Sequence, residues 1–227
     1  MKGRILFILI IHAMIATACV NSKNKKTDQN EPLVMAGKTA ERALQLAGAN
    51  RNNPDSLALA IELIDGAIVL VDQSQTSDDD KSWFYHTLYG QKSQIQCCQG
   101  KFDTALATLD DAEVKYGAFW MNWFLKAIIS DFTGDTASAN LNYEKVIDYC
   151  DSNLKETDQS TQEYLNMLVT CITAKVNRYG KEAVKEDIEA LKARKDYTES
   201  SPVYHVVIGF EDWDKEVYFK SLWGIKE

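Results

Sequence analysis

Gly100-Lys101-Phe102-Asp103-Thr104-Ala105 and Gly134-Asp135-Thr136-Ala137-Ser138-Ala139 stand 34 residues apart and share one pattern: a glycine, a short polar turn, then a small residue inside a new apolar stripe. Shifting the chain by 34 places Tyr89 on Trp123, Ser93 on Ala127, Gly100 on Gly134, Ala105 on Ala139, Leu109 on Tyr143 and Ala112 on Val146. Each glycine closes a helix, because glycine tolerates the left-handed conformation found just past helix C-termini. Small residues at Ser93, Ala105 and their equivalents then let two helices approach, and a bulky residue one turn on fills the remaining space. The stretch therefore predicts consecutive helix pairs.

The same texture extends outward. Residues 33–194 read almost entirely as helix, since Pro32 and Pro54 stand at helix starts and Pro202 lies beyond. Leu57 to Val71 is apolar on nearly every face, as expected of a helix buried on several sides. Asn53-Pro54-Asp55 supplies its start: a capping Asn, a Pro at the first helical position and an acid in the first turn. Gln73 to Asp80 is a polar break. Val169, Ile172, Thr173 and Val176 before Gly180, followed by Val184, Ile188 and Leu191, fit a further pair if Asp151 to Ser160 is an insertion. Met35 to Ala49, with Ala60, Ile64 and Ala67, makes an opening pair, for about four pairs in all. Beyond Thr198 the pattern breaks. Tyr204-His205-Val206-Val207-Ile208 is β-branched and predicts an extended segment. Trp213 to Trp223 is amphipathic, suited either to capping the last apolar face or to docking a partner.

A 34-residue helix–turn–helix period is the tetratricopeptide length, and over roughly residues 82–151 the chain resembles that family. It departs from the family pattern at Lys92 and Lys126, where Leu is usual, at Gln96 and Ser130, where a second aromatic is usual, and in having no closing Pro. The resemblance implies an all-α fold: an αα-hairpin right-handed superhelix (a tetratricopeptide-like α-solenoid) of about four helix pairs plus a C-terminal capping segment. It also implies a concave face lined by the first helices of successive pairs. The family's groove positions fall on Met121, Phe124, Ile128, Asp131 and Phe132, and on the preceding helix on Thr87, Gly90, Gln94, Cys97 and Cys98. The apolar members of this set suit a peptide or helix partner held by Met and aromatic anchors. They equally suit packing against a neighbouring helix or the C-terminal segment.

The N-terminus reads as an address. Met1-Lys2-Gly3-Arg4 is a positive n-region, Ile5 to Ile15 an apolar run shorter than the ~20 residues a membrane span needs, and Ala16-Thr17-Ala18 a small-residue cleavage site. With Cys19 these residues resemble the lipobox of bacterial lipoproteins, though Ala16 stands where Leu is usual. That resemblance implies removal of 1–18, acylation of Cys19 (a palmitate-bearing anchor) and, because Val20 rather than Asp follows, sorting to the outer membrane, facing the periplasm. More than one acyl chain gives stable anchoring. Residues 19–32, polar and carrying Lys23, Lys25 and Lys26, read as a tether. The predicted organisation is thus 1–18 signal peptide, 19–32 lipidated Cys and tether, 33–197 helical repeat domain and 198–227 capping segment.

Composition bounds the chemistry. The chain has 227 residues, 45% apolar and 26% charged, with 33 acidic against 25 basic residues and a formal net charge of −8. Loss of Lys2 and Arg4 with the signal peptide takes this from −8 to −10. Such a surface lacks the basic footprint of a nucleic-acid binder. After cleavage only His86 and His205 remain, neither in a nucleophile motif, and His86 among Trp83, Phe84, Tyr85 and Tyr89 reads as a packed or groove residue. No G-x-S-x-G, H-E-x-x-H or glycine-rich phosphate loop occurs. Asp78-Asp79-Asp80 reads as a solvated run at a helix start rather than a cation site. Cys97, Cys98, Cys150 and Cys171 match no zinc spacing. They read as buried thiols, with one long-range bridge such as Cys150 to Cys171 as the alternative in an exported chain. The expected function is an exported, lipid-anchored protein-interaction module with no catalysis, cofactor or metal. The rivals are a glycan- or nutrient-binding helical lipoprotein of an outer-membrane uptake system, since five Trp and ten Tyr suit sugar stacking, and a hydrolase in the C-terminal segment.

Overall fold

Caps and glycines set the helix boundaries. In the computed structural model, residues 31–158, 161–195, 197–199 and 201–223 are described. The predicted signal peptide, Cys19, the tether up to residue 30 and residues 224–227 lie outside them. The elements in order are α1 (Glu31–Ala49), α2 (Pro54–Gln73), α3 (Asp78–Cys98), α4 (Phe102–Tyr116), α5 (Trp120–Phe132), α6 (Thr136–Asn153), α7 (Gln162–Tyr179), a 3-10 turn (Lys181–Val184), α8 (Lys185–Lys192), α9 (Pro202–Glu211) and α10 (Lys215–Trp223). No strand occurs among the described residues, so the fold is all-α. The first helix opens at Glu31, two residues before the expected start of the helical domain at 33. The described residues fall into two compact units, 31–125 with Trp223 and 126–222, the boundary lying inside α5.

In the unit 31–125, α1 and α2 pack along a seam of small residues. Leu33, Ala36, Ala40, Ala43 and Ala47 of α1, and Leu57, Ala60, Ile64, Ala67 and Val71 of α2, are buried at alternating three- and four-residue steps. This is one face of each helix. The alanines let the backbones close up, while burial of each of Leu57, Ile64 and Val71 contributes ~1.5–3 kcal/mol over exposure. Asn53 caps α2, its Oδ1 accepting from the backbone N–H of Asp55 at 3.0 Å and of Ser56 at 3.1 Å. Ser77 caps α3, accepting from the Asp80 N–H at 3.2 Å and donating to the Asp80 carboxylate at 2.6 Å. The Asp78-Asp79-Asp80 run is thereby the first turn of α3, where acids meet the positive end of the helix dipole. The α3 helix is tied to α2 by Lys92–Asp65 at 2.6 Å and by the Tyr85 hydroxyl donating to Asp72.

The two glycine turns are superimposable in their bonding. At the first, the Gly100 N–H donates to Cys97 O (2.9 Å) and the Lys101 N–H to Gln96 O (2.9 Å). At the second, the Gly134 N–H donates to Asp131 O (3.2 Å) and the Asp135 N–H to Ser130 O (2.8 Å). Both are Schellman closures, with φ of 73° at Gly100 and 86° at Gly134. The residues at 34-residue spacing also take matching environments. Ser93 and Ala127, Ala105 and Ala139, Leu109 and Tyr143, and Ala112 and Val146 are all buried, while Tyr89 and Trp123 are half-buried.

In the unit 126–222, α6 is capped by Asp135 and α7 by Thr161, whose side chains accept from the Ser138 and Tyr164 N–H groups at 3.1 Å. The pair α6–α7 is laced by the Arg178 guanidinium (3.0 Å) and the Tyr179 hydroxyl (2.6 Å), both donating to Glu144. Val169, Ile172, Thr173 and Val176 of α7, with Val184, Ile188 and Leu191 beyond Gly180, are buried as their periodicity predicts. The extended segment expected at Tyr204–Ile208 is instead the middle of α9. Ser201 caps that helix, accepting from the Tyr204 N–H at 3.1 Å, and Val203, Val206, Val207 and Phe210 are buried at helical steps. Local β-propensity gave way to an apolar stripe that only a helix can put on one side. Of the Trp213–Trp223 amphipath, Lys215–Trp223 form the helix α10; in this unit Phe219 lies edge-on to Phe132, and Lys215 pairs with Asp131 at 2.5 Å.

Two glycine substitutions should move stability in opposite directions. Gly134→Ala places a side chain at φ 86° and should lose ~1–2 kcal/mol. Gly66→Ala, exposed in the interior of α2 with nothing within 4 Å of a new Cβ, should gain ~0.5–1 kcal/mol. Urea unfolding monitored by far-UV circular dichroism reads both.

Candidate functional site

The unit 31–125 contains a seam of polar side chains where α3 meets the first half of α5. Gly90 sets the spacing: a Cβ there would stand 3.3 Å from Leu125 Cδ1 and 3.9 Å from Asn122 Oδ1, so the two helices approach at a residue with no side chain. Four residues back, His86 is 3% exposed. Its Nε2 lies 3.3 Å from Tyr116 O and its Nδ1 lies 3.0 Å from Asn122 Nδ2. A carbonyl can only accept and an amide NH₂ can only donate, so the ring is neutral with its proton on Nε2. Phe119 stacks on it at 4.6 Å. Burial lowers the His86 pKa below its ordinary 6.5, against the smaller raising effects of the Tyr116 carbonyl and Glu113.

Thr87, Gln91 and Gln94 follow one another on a single face of α3 at i, i+4 and i+7. Thr87 is buried and its hydroxyl donates back to Trp83 O at 3.0 Å. Gln91 is fully buried, yet neither end of its amide bonds to a protein group, and the same holds for Gln94 Nε2 and Asn122 Oδ1. Buried amides ordinarily find partners, because each unmade bond costs ~1–3 kcal/mol. Primary amides offer donors and acceptors together, which matches the alternating N–H and C=O of a peptide chain or the hydroxyls of a sugar. They supply no acid, base or nucleophile.

The expected groove residues separate into two environments. Within 31–125, Met121 is half-buried, Phe124 is buried, and Thr87 and Gln94 sit on the amide face just described. Within 126–222, Ile128 is buried, and Asp131 and Phe132 are held by the protein itself. The Tyr143 hydroxyl donates to Asp131 at 3.0 Å, Lys215 pairs with the same carboxylate, and Phe219 covers Phe132. Burial, followed by the Asp131 charge, raises the Tyr143 hydroxyl well above its ordinary range and keeps it a donor. Gln91 and Asn122 are the site residues that the family pattern passed over. Gln91 was signalled only by its place one turn from both Thr87 and Gln94, and Asn122 by a lone amide among the aromatics of α5.

No group of three or more His, Cys, Asp or Glu positioned to hold a metal ion occurs among the described residues, and none of the described helices is long and apolar enough to cross a membrane. Cys97, Cys98, Cys150 and Cys171 are free thiols, and burial raises the Cys97 and Cys98 pKa values. Fold and site together define an all-helical protein with an amide-lined seam between helices. Comparison with protein-family models, with curated proteins and with solved structures gave no match.

His86 carries a prediction with a definite sign. The unfolded chain takes up a proton near pH 6.5 that the folded chain resists until lower pH, so this residue's contribution is complete above 6.5 and falls as the pH drops below it. An NMR titration of the His86 ring should give a midpoint under 6.5. Urea midpoints of His86→Gln should decline less between pH 7 and pH 5 than those of the wild type.

Proposed function

We propose that the chain is an exported, lipid-anchored interaction module of tetratricopeptide-like helix pairs, an αα-hairpin superhelix tethered through Cys19 at the periplasmic side of the outer membrane, and that it acts without catalysis. The observation that carries this reading is the face of α3 bearing Thr87, Gln91 and Gln94, with half-buried Met121 of α5 in the same unit. Half-buried Gln94 has an amide nitrogen without a protein partner, which suits a peptide main chain, whose C=O groups supply the bond it lacks. The matched burial at 34-residue spacing and the two equivalent glycine turns support the repeat reading. The run Ala16-Thr17-Ala18-Cys19 supports the anchor.

Two measurements test this. A photo-crosslinking residue at Met121 should capture a protein in intact cells. The same residue at Val114, which is 86% exposed on α4, should capture none above background. Equal capture at both positions counts against the site, and capture of carbohydrate alone at Met121 favours the glycan-binding reading. Separately, Cys19→Ser should move the protein from the membrane fraction to the soluble fraction, and continued membrane association refutes the anchor.

A further inference from the structure

The helix pair α6–α7 brings two thiols together. Cys150 sits in the last turn of α6 and Cys171 in the middle of α7, and both are buried. Each reaches the other's neighbourhood. Cys150 Sγ lies 3.7 Å from Met167 O, one turn before Cys171, and Cys171 Sγ lies 3.8 Å from the Asp151 carboxylate, the residue after Cys150. The neighbouring Cys171 and burial hold the Cys150 thiol well above its ordinary range. Reciprocal contacts of this kind fix the register of the two helices at the cysteines, and a disulfide needs neighbouring Cβ atoms across such a contact.

We propose that Cys150 and Cys171 are a disulfide site that closes on meeting a disulfide oxidant and staples α6 to α7. The step balances as two exchanges. One cysteine thiolate attacks a sulfur of the oxidant's disulfide and releases a thiolate. The second cysteine thiolate then attacks the mixed disulfide and releases the other. The protein loses two protons and two electrons, and the oxidant gains them as two thiols. Lys175, one turn beyond Cys171, lies 3.5 Å from the Asp151 carboxylate that Cys171 also contacts. Both thiols are enclosed, so exchange proceeds while the pair is open, during folding or in a local opening, and the closed pair then holds the bond. An exported chain meets such oxidants as it folds. Cys97 lies in the other unit, buried in α3, and takes no part.

The test uses the full chain, unfolded in denaturant and refolded with oxidised glutathione. Remaining thiols are then blocked and the protein is digested with trypsin. Cleavage after Lys145, Lys155 and Lys175 puts the two cysteines on separate peptides, 146–155 and 156–175. The expected product is these two peptides joined, and separated by reductant. They should also be joined in Cys97→Ala/Cys98→Ala. The urea midpoint should rise on oxidation and return on reduction, and Cys150→Ala should show no such change. Recovery of both peptides singly with blocked thiols overturns the proposal, as does a bond from either cysteine to Cys97 or Cys98.

Discussion

Close approach of helices at small side chains is the constraint on which the rest depends. Turns of three or four residues join successive helices from α1 to α6, and each helix can hide its apolar stripe only if nothing bulky keeps the backbones apart. Ala36, Ala40, Ala43 and Ala47 meet this need in α1, and Ala60 and Ala67 in α2. Ser93 meets it in α3 by bonding its hydroxyl to Gly90 O at 2.8 Å, so that a polar residue is buried without an unsatisfied group. Large residues then fill what the small ones leave: Leu88 and Ile95 in α3, Leu109 in α4, Tyr143 in α6. The glycine turns serve the same end, reversing the chain in few residues at a backbone geometry that glycine adopts without strain.

Polar chemistry is laid over this packing in both units. In the unit 126–222 several groups are paired, although the buried Asn177 amide has neither end bonded. Asp131 takes a hydroxyl and an ammonium, Glu144 takes Arg178 and Tyr179, and Lys175 lies between Asp151 and Asp187 at 3.5 and 3.6 Å. In the unit 31–125 Gln91, Gln94 and Asn122 likewise keep bonding capacity that the protein does not use. A protein tuned only for stability would fill these positions with apolar residues, because an unsatisfied buried amide is a standing cost. The unused capacity is the feature on which the proposed recognition role rests.

Much of the architecture was legible in the sequence, for reasons that can be named. The glycine at each turn, the Asn53-Pro54-Asp55 cap and the three- and four-residue steps of small and large residues are local signals, and they were read without knowledge of the tertiary contacts. Judged by composition alone, the β-branched run Tyr204–Ile208 looks extended, although it is helical. The same valines form a helical stripe when their spacing to Phe210 is counted. The candidate site was legible only in part. Family positions pointed to Thr87, Gln94 and Met121, but Gln91 emerges from its burial and its lack of partners. Neither property is written in a sequence. Likewise Asp131 and Phe132 looked available until Lys215 and Phe219, more than 80 residues away in the chain, were found upon them.

The packing account is tested most directly by comparing urea unfolding free energies of Ala105→Leu and Ala107→Leu. The two positions share α4, its helix propensity and its surroundings in sequence, and differ in that Ala105 is fully buried while Ala107 is exposed. Crowding a helix contact should cost Ala105→Leu ~1–3 kcal/mol, and Ala107→Leu should stay within ~0.5 kcal/mol of the wild type. Equal effects at the two positions would contradict the claim that small residues set the distance between these helices.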